Sequence, residues 1–288
     1  MASFDHAPAK INLTLAVLGR RTDGYHSLDS LVVFAQARDR VTFDPAQPFA
    51  LRLRGPHAAQ VGPIDDNLVL KAARGLASDI PGLKLGAFIL DKRLPVAAGL
   101  GGGSSDAAAA LRLLARANRL SLNDPRLFKV ARRIGADVPV CIDPQSRRMR
   151  GIGEMLSPPL AIPRLAAVLV NPGVAVPTKD VFALLDFKVG APPKAAPRAR
   201  SLPDNFDRLV EFLSAQGNDL EGPAIKLQPA IARVLAVLRK QPGCRLARMS
   251  GSGATCFGLF ASSRVATAAA RRIKASHPAW WAIATVLG

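Results

Sequence analysis

Negative charge is scarce in this chain. Its 288 residues carry 21 Asp and Glu against 39 Lys and Arg, a formal net charge of +18. Cysteine is scarcer still. Cys141, Cys244 and Cys256 are odd in number and form no C-x-x-C pair, which argues against a disulfide framework and suits a reducing, cytoplasmic compartment. The four histidines show no zinc-ligand spacing, so no structural metal site is expected. Aromatic residues are only 5% of the chain and tyrosine occurs once, as Tyr25. Few platforms are therefore available for stacking single-stranded bases. No apolar run approaches the ~18–20 residues that span a bilayer, so no membrane partner is expected. The opening Met-Ala-Ser-Phe-Asp-His lacks the basic start and apolar stretch of a signal peptide.

What is present is apolar material, 49% of the residues, enough to bury a core. The length suggests two domains or one large one. The excess charge raises the prospect of nucleic-acid binding, because Lys and Arg displace counterions from phosphates. The basic residues are scattered in twos and threes, such as Arg20 and Arg21 or Arg147, Arg148 and Arg150, with no block of five or six. That distribution fits a solvated basic surface better, and no nucleic-acid partner is expected.

Alternation predicts strands over Ile11–Leu18, Ser30–Ala35, Arg40–Phe43, Phe49–Arg54 and Gly86–Asp91. Asn67 is placed to cap a helix running to about Ser78, and Pro125 sits in the first turn of another over Asp124–Ile134. Gly151, Gly153, Pro158, Pro159 and Pro163 mark the expected boundary between a domain of residues 1–155 and one of 156–288. The second half opens on an apolar strand, Leu165–Asn171. It continues with helices at 204–215, 228–240 and 263–275 and strands at 245–249, 254–260 and 281–287. Residues 190–203 read as a loop. Mixed elements in this order predict an α+β fold rather than a doubly wound parallel sheet.

The strongest chemical signal is the run Pro95-Val96-Ala97-Ala98-Gly99-Leu100-Gly101-Gly102-Gly103-Ser104-Ser105, which feeds an alanine- and leucine-rich helix from Ser104 to about Arg119. Glycine lets backbone amides converge on an anion, and a helix N-terminus favours phosphate. Ser104 or Ser105 could cap that helix or hydrogen-bond a phosphate. The run is neither a P-loop, lacking Gly-Lys-Ser/Thr, nor a dinucleotide fingerprint, since position 104 is Ser. Two further clusters accompany it: Pro8-Ala-Lys-Ile-Asn12 before an apolar strand, and Met249-Ser-Gly-Ser-Gly-Ala-Thr-Cys-Phe257.

Together the three clusters resemble the motifs of the GHMP kinase superfamily. The resemblance extends to residues 8–30, PAKINLTLAVLGRRTDGYHSLDS, and to IGADVPVC, GIGE and MSGSGATCFGLF, so it covers almost the whole chain. It implies a two-domain fold, with an N-terminal domain like ribosomal protein S5 domain 2 and a ferredoxin-like C-terminal domain. It also implies ATP as co-substrate, with Mg²⁺ expected, although no metal ligand is identified. The GRRTDGYH segment implies a particular acceptor, the 2-hydroxyl of 4-diphosphocytidyl-2-C-methyl-D-erythritol, in the non-mevalonate route to isoprenoid precursors. The alternatives are another alcohol acceptor or a basic S5-fold module that binds nucleic acid.

The resemblance further implies roles. Asp137 matches the catalytic aspartate and Lys10 its paired lysine. A carboxylate near the acceptor hydroxyl can take its proton, and an ammonium can stabilise the charge left behind. Asn12 matches a substrate-side contact, Tyr25 and His26 a cytidine pocket, and Phe182 its opposite face. Asn67 and Lys92 align with adenine-region contacts. Residues 142–150, with Arg147, Arg148 and Arg150, depart from the small-residue stretch of many relatives, so contacts there are open. The oligomeric state is not legible.

Overall fold

The computed structural model describes residues 1–191 and 202–288, so most of the expected 190–203 loop lies outside the described residues. The chain forms two compact units built from interleaved segments: Met1–Lys10, Arg38–Val96 and Gly101–Pro144 in the first, and Ile11–Ala37, Ala97–Leu100 and Gln145–Gly288 in the second.

Strand β1 (Ser3–Arg20) pairs with β2 (His26–Asp44) across the turn at Gly24, whose φ of +85° suits glycine. The expected strands 30–35 and 40–43 are one element. Gln36 and Arg38 are exposed while Ala35, Ala37 and Asp39 are buried, so the polar residues change face without ending the strand.

In the first unit, β3 (Ala50–Arg54) runs parallel to β4 (Ala87–Asp91), and β4 pairs antiparallel with β2 from Arg40↔Asp91 to Asp44↔Ala87. Phe43 and Phe88, both fully buried, meet in this sheet with ring centroids 4.7 Å apart. Helices α1 (Leu68–Asp79), α2 (Gly102–Ala117), α3 (Pro125–Ile134) and the short α4 (Val138–Ile142) complete the unit. Helix α2 is buried on all sides from Ser105 to Ala115, as its small apolar residues allow. As expected, the Asn67 side chain accepts from Val69 N–H and caps α1, and Pro125 occupies the first turn of α3.

The second unit centres on antiparallel strands. Strands β5 (Arg147–Gly151) and β6 (Met155–Leu156) form a hairpin whose first strand pairs with β2. Strand β7 (Leu165–Asn171) is buried along its whole length. Helices α5 (Thr178–Ala183), α6 (Phe206–Ser214), α7 (Glu221–Leu227) and α8 (Ala230–Arg239) precede β8 (Cys244–Met249) and β9 (Cys256–Phe260), and α9 (Ser263–Ser276) precedes β10 (Trp281–Leu287). The strand order is β2-β10-β7-β9-β8. Val168, Val170, Ile231, Val234, Phe260 and Ile273 lie in the core between this sheet and its helices. The mixture of helices and a largely antiparallel sheet is the expected α+β class. Among the described residues, no helix is long and apolar enough to cross a membrane.

Candidate active site

Lys10 lies on β1 in the first unit, only 4% exposed. Its ammonium is 2.6 Å from Asp137 Oδ1. Asp137 stands at the N-cap of α4, yet its carboxylate makes no capping bond, which leaves it for Lys10. A solvated surface lysine and a capping aspartate, the plain readings of these two residues, are thus both excluded. Lys10 also runs beneath the glycine loop. A Cβ added to Gly101 would lie 3.2 Å from Lys10 Cβ and 3.4 Å from Cε. Beside the pair, burial first and the Asp137 charge second push the Cys141 thiol up to about 12, so it is no nucleophile.

Gly101 is the N-cap of α2, in the left-handed region at φ +59°, and its carbonyl accepts from Ser105 N–H. The expectation that Ser104 or Ser105 caps this helix is corrected accordingly: both lie inside the first turn, and no side chain caps it. The first amides of α2 therefore have no partner within the helix and are free for an anion. Ser105 Oγ is buried without a hydrogen-bond partner.

Lys92 and Asn67, aligned with adenine contacts, are placed differently from one another. Asn67 Oδ1 is engaged by its own helix cap. Lys92 turns its ammonium inward, to Asp39 Oδ2 at 2.5 Å and Asp106 Oδ2 at 2.8 Å, and all three residues are buried. Burial opposes the Lys92 charge, but the Asp106 and Asp39 carboxylates outweigh it and hold its pKa above the usual value. Burial raises Asp106 to about 7, against the pull of Lys92. Asp39 escaped sequence reasoning. Its one signal is its phase, since it falls on the inward alternation of Ala35, Ala37 and Val41 between two arginines.

In the second unit, the turn Ser250–Thr255 holds the loop segment Ala97–Leu100. Thr255 N–H donates to Ala98 O, and Ser250 Oγ donates to Gly99 O at 3.1 Å. Gly99 has φ +74°, and a Cβ there would come within 2.6 Å of Ser250 O and Gly253 O, so only glycine fits. Asn12 N–H donates to Ser250 Oγ, and Asn12 Nδ2 donates to Ser30 Oγ at 2.7 Å. Asn12 Oδ1 is buried and unpartnered.

His26 and Phe182 are brought together, but as a stack on one another with centroids 4.9 Å apart rather than as the edge and the opposite face of a base pocket. Tyr25, by contrast, is 61% exposed beside the β1–β2 turn. Burial, then the Arg20 charge, lowers the His26 pKa and favours the neutral ring; its Nε2 is buried with no hydrogen-bond partner. Asp29 gathers Arg148 at 2.7 Å and Arg150 at 2.8 Å. Asp29 and Arg150 are register partners and share a face of the sheet, whereas His26, Leu28 and Ser30 alternate onto the other. Arg147 donates to Ser157 O. The arginines that set this stretch apart are therefore tied into the protein. Among the described residues, no group of three or more His, Cys, Asp or Glu side chains could hold a metal ion.

Residues 67–143 match the model of the GHMP kinases N-terminal domain, and residues 195–279 match that of the GHMP kinases C-terminal domain. A 4-diphosphocytidyl-2-C-methyl-D-erythritol kinase of Methylobacterium radiotolerans is 57% identical, covering 98% of each chain. One of Xanthobacter autotrophicus is also 57% identical, over 98% of this chain and 97% of its own. A crystal structure of 4-(cytidine 5'-diphospho)-2C-methyl-D-erythritol kinase superposes with a TM-score of 0.76 at 36% identity, covering 99% of both chains. Homoserine kinase from Cytophaga hutchinsonii, 18% identical with a TM-score of 0.67 over 99% of this chain and 94% of its own, shares the fold. The three motif clusters, the fold and these relatives agree: the chain belongs to the GHMP kinase family.

Proposed function

We propose that this protein transfers the γ-phosphoryl group of MgATP to the 2-hydroxyl of 4-diphosphocytidyl-2-C-methyl-D-erythritol, a step toward isoprenoid precursors by the non-mevalonate route. The observation that carries the reading is the Lys10–Asp137 pair, 2.6 Å apart under Gly101 of the glycine loop. The acceptor follows from relatives of that name at 57% identity over nearly the whole chain.

In this reading Asp137 accepts the proton of the attacking hydroxyl, and its second carboxylate oxygen carries no hydrogen bond from the described residues. Lys10 steadies the carboxylate and offsets charge growing on the hydroxyl oxygen. The free amides at the start of α2, with Gly99 to Gly103, receive the ATP phosphates. Magnesium arrives as part of the substrate MgATP. Asn12 Oδ1 and the neutral His26 ring, stacked on Phe182, supply unpartnered polar atoms for the acceptor. Tyr25 is free to cover the cytosine. The buried thiols of Cys141 and Cys256 and the free Cys244 suit a reducing compartment, here the cytoplasm.

The test is purified protein with MgATP and a panel of alcohols: the cytidine diphosphate acceptor, homoserine, mevalonate and galactose. Turnover with the first alone supports the proposal. Turnover with another and none with the first refutes the acceptor assignment.

A further inference from the structure

The chemistry above uses Lys10 and Asp137 and leaves a second buried ammonium without a task. Lys92 is 3% exposed, and its ammonium is enclosed by Asp39 and Asp106. It has little to offer a base directly. Its surroundings place it instead at the root of the phosphate loop. Asp39 Oδ1 accepts from Arg93 N–H and from Leu94 N–H at 2.8 Å, which anchors the backbone immediately before Pro95. Asp106 opens the second turn of α2, immediately after Ser105. One ammonium therefore joins both ends of the loop. It also lies directly beneath it: a Cβ on Gly102 would approach Lys92 Nζ to 3.1 Å. Buried charges of this kind are costly to desolvate, and replacement by apolar packing is often neutral or stabilising, so stability alone is a poor reason for the cluster. Asp106 Oδ1 is moreover left buried and unpartnered, a further cost.

We infer that Lys92, braced by Asp39 and Asp106, is a positioning residue for the nucleotide's phosphates, acting through the loop rather than by contact with adenine. It rests on the reading of the loop as the phosphate site. The cluster fixes the separation of the loop's two ends, and so the directions of the amides that receive the phosphates. A displacement of about 1 Å in such a site costs about 10²-fold in rate.

The experiment measures binding of ATP and of inorganic tripolyphosphate, and the KM for the acceptor, in full-length Lys92→Met, Lys92→Arg and Asp106→Asn proteins. Lys92→Met is expected to weaken ATP and tripolyphosphate by the same factor, on the order of 10²-fold, with little change in the acceptor KM. Lys92→Arg restores part of the loss. Asp106→Asn, which keeps the Lys92–Asp39 pair, weakens both ligands equally but less. Weaker ATP binding with unchanged tripolyphosphate binding would mean that Lys92 reads the base, and overturns the inference. If Lys92→Met does not fold, Asp106→Asn decides: unchanged tripolyphosphate affinity in that variant overturns it too. Wild-type protein that binds neither ligand refutes the loop reading itself, and the positioning role with it.

Discussion

Lys10 and Asp137, distant in sequence, form an ion pair of 2.6 Å in which the lysine is buried and the aspartate remains partly open to solvent. The asymmetry suits transfer chemistry. The cation is fixed by packing, while the carboxylate keeps an oxygen for an incoming hydroxyl. Asp137→Asn keeps the shape of the side chain and loses the base. Steady-state kinetics should show kcat reduced by at least about 10²-fold, with a lower melting temperature because the buried Lys10 ammonium loses its counter-charge. Near-normal turnover would remove Asp137 from the reaction.

Gly101 is constrained twice, by its left-handed φ of +59° and by Lys10 beneath it. Gly101→Ala should destabilise the fold by about 1–2 kcal/mol in denaturant titrations. It should also weaken ATP more than the acceptor, because it deforms the start of α2. Unchanged nucleotide binding would mean that this turn does not touch the phosphates.

On the acceptor side, Tyr25→Ala should raise the acceptor KM more than the KM for ATP. Equal effects would make Tyr25 structural. His26 has a pKa below the usual value, so its imidazole sheds its proton at lower pH than a free one. The acceptor KM should therefore stay flat between about pH 6.5 and 8. An inflection near the ordinary histidine pKa that disappears in His26→Ala would contradict this assignment.

Asp106 gives a signed pH dependence of stability. Its folded-state pKa is raised to about 7, so between the ordinary carboxylate range and that value the folded protein holds a proton that the unfolded chain has lost. Its contribution is full in acid and is lost as pH rises toward 7. Lys92 titrates far above this window. Asp106→Asn should flatten the slope of unfolding free energy between about pH 4 and 7, read from urea titrations. An unaltered slope would mean that other groups set it.

Much of this site was legible in the chain. The glycine run before an alanine-rich segment announced a helix start, and Asn67 and Pro125 announced two more by their capping chemistry. Lys10 and Asp137 needed the whole set of motifs, since neither residue distinguishes itself from a surface lysine or a capping acid. Three things were hidden. Gly101, in the left-handed conformation, displaces both serines from the cap position, which depends on one backbone angle. Strand β2 is continuous because Gln36 and Arg38 merely switch to the exposed face, and an alternation broken by polar residues looks like two strands. Asp39 meets Lys92 through sheet pairing between β2 and β4, a long-range register that no local pattern encodes.

The most direct test follows the phosphorus. Wild-type protein is incubated with MgATP and 4-diphosphocytidyl-2-C-methyl-D-erythritol and read by ³¹P NMR. The account predicts a new phosphomonoester resonance that grows one-for-one with ADP, with the acceptor's diphosphate intact, and that is almost absent with Asp137→Asn. ADP formed without the monoester, or a monoester formed equally fast by Asp137→Asn, would contradict it.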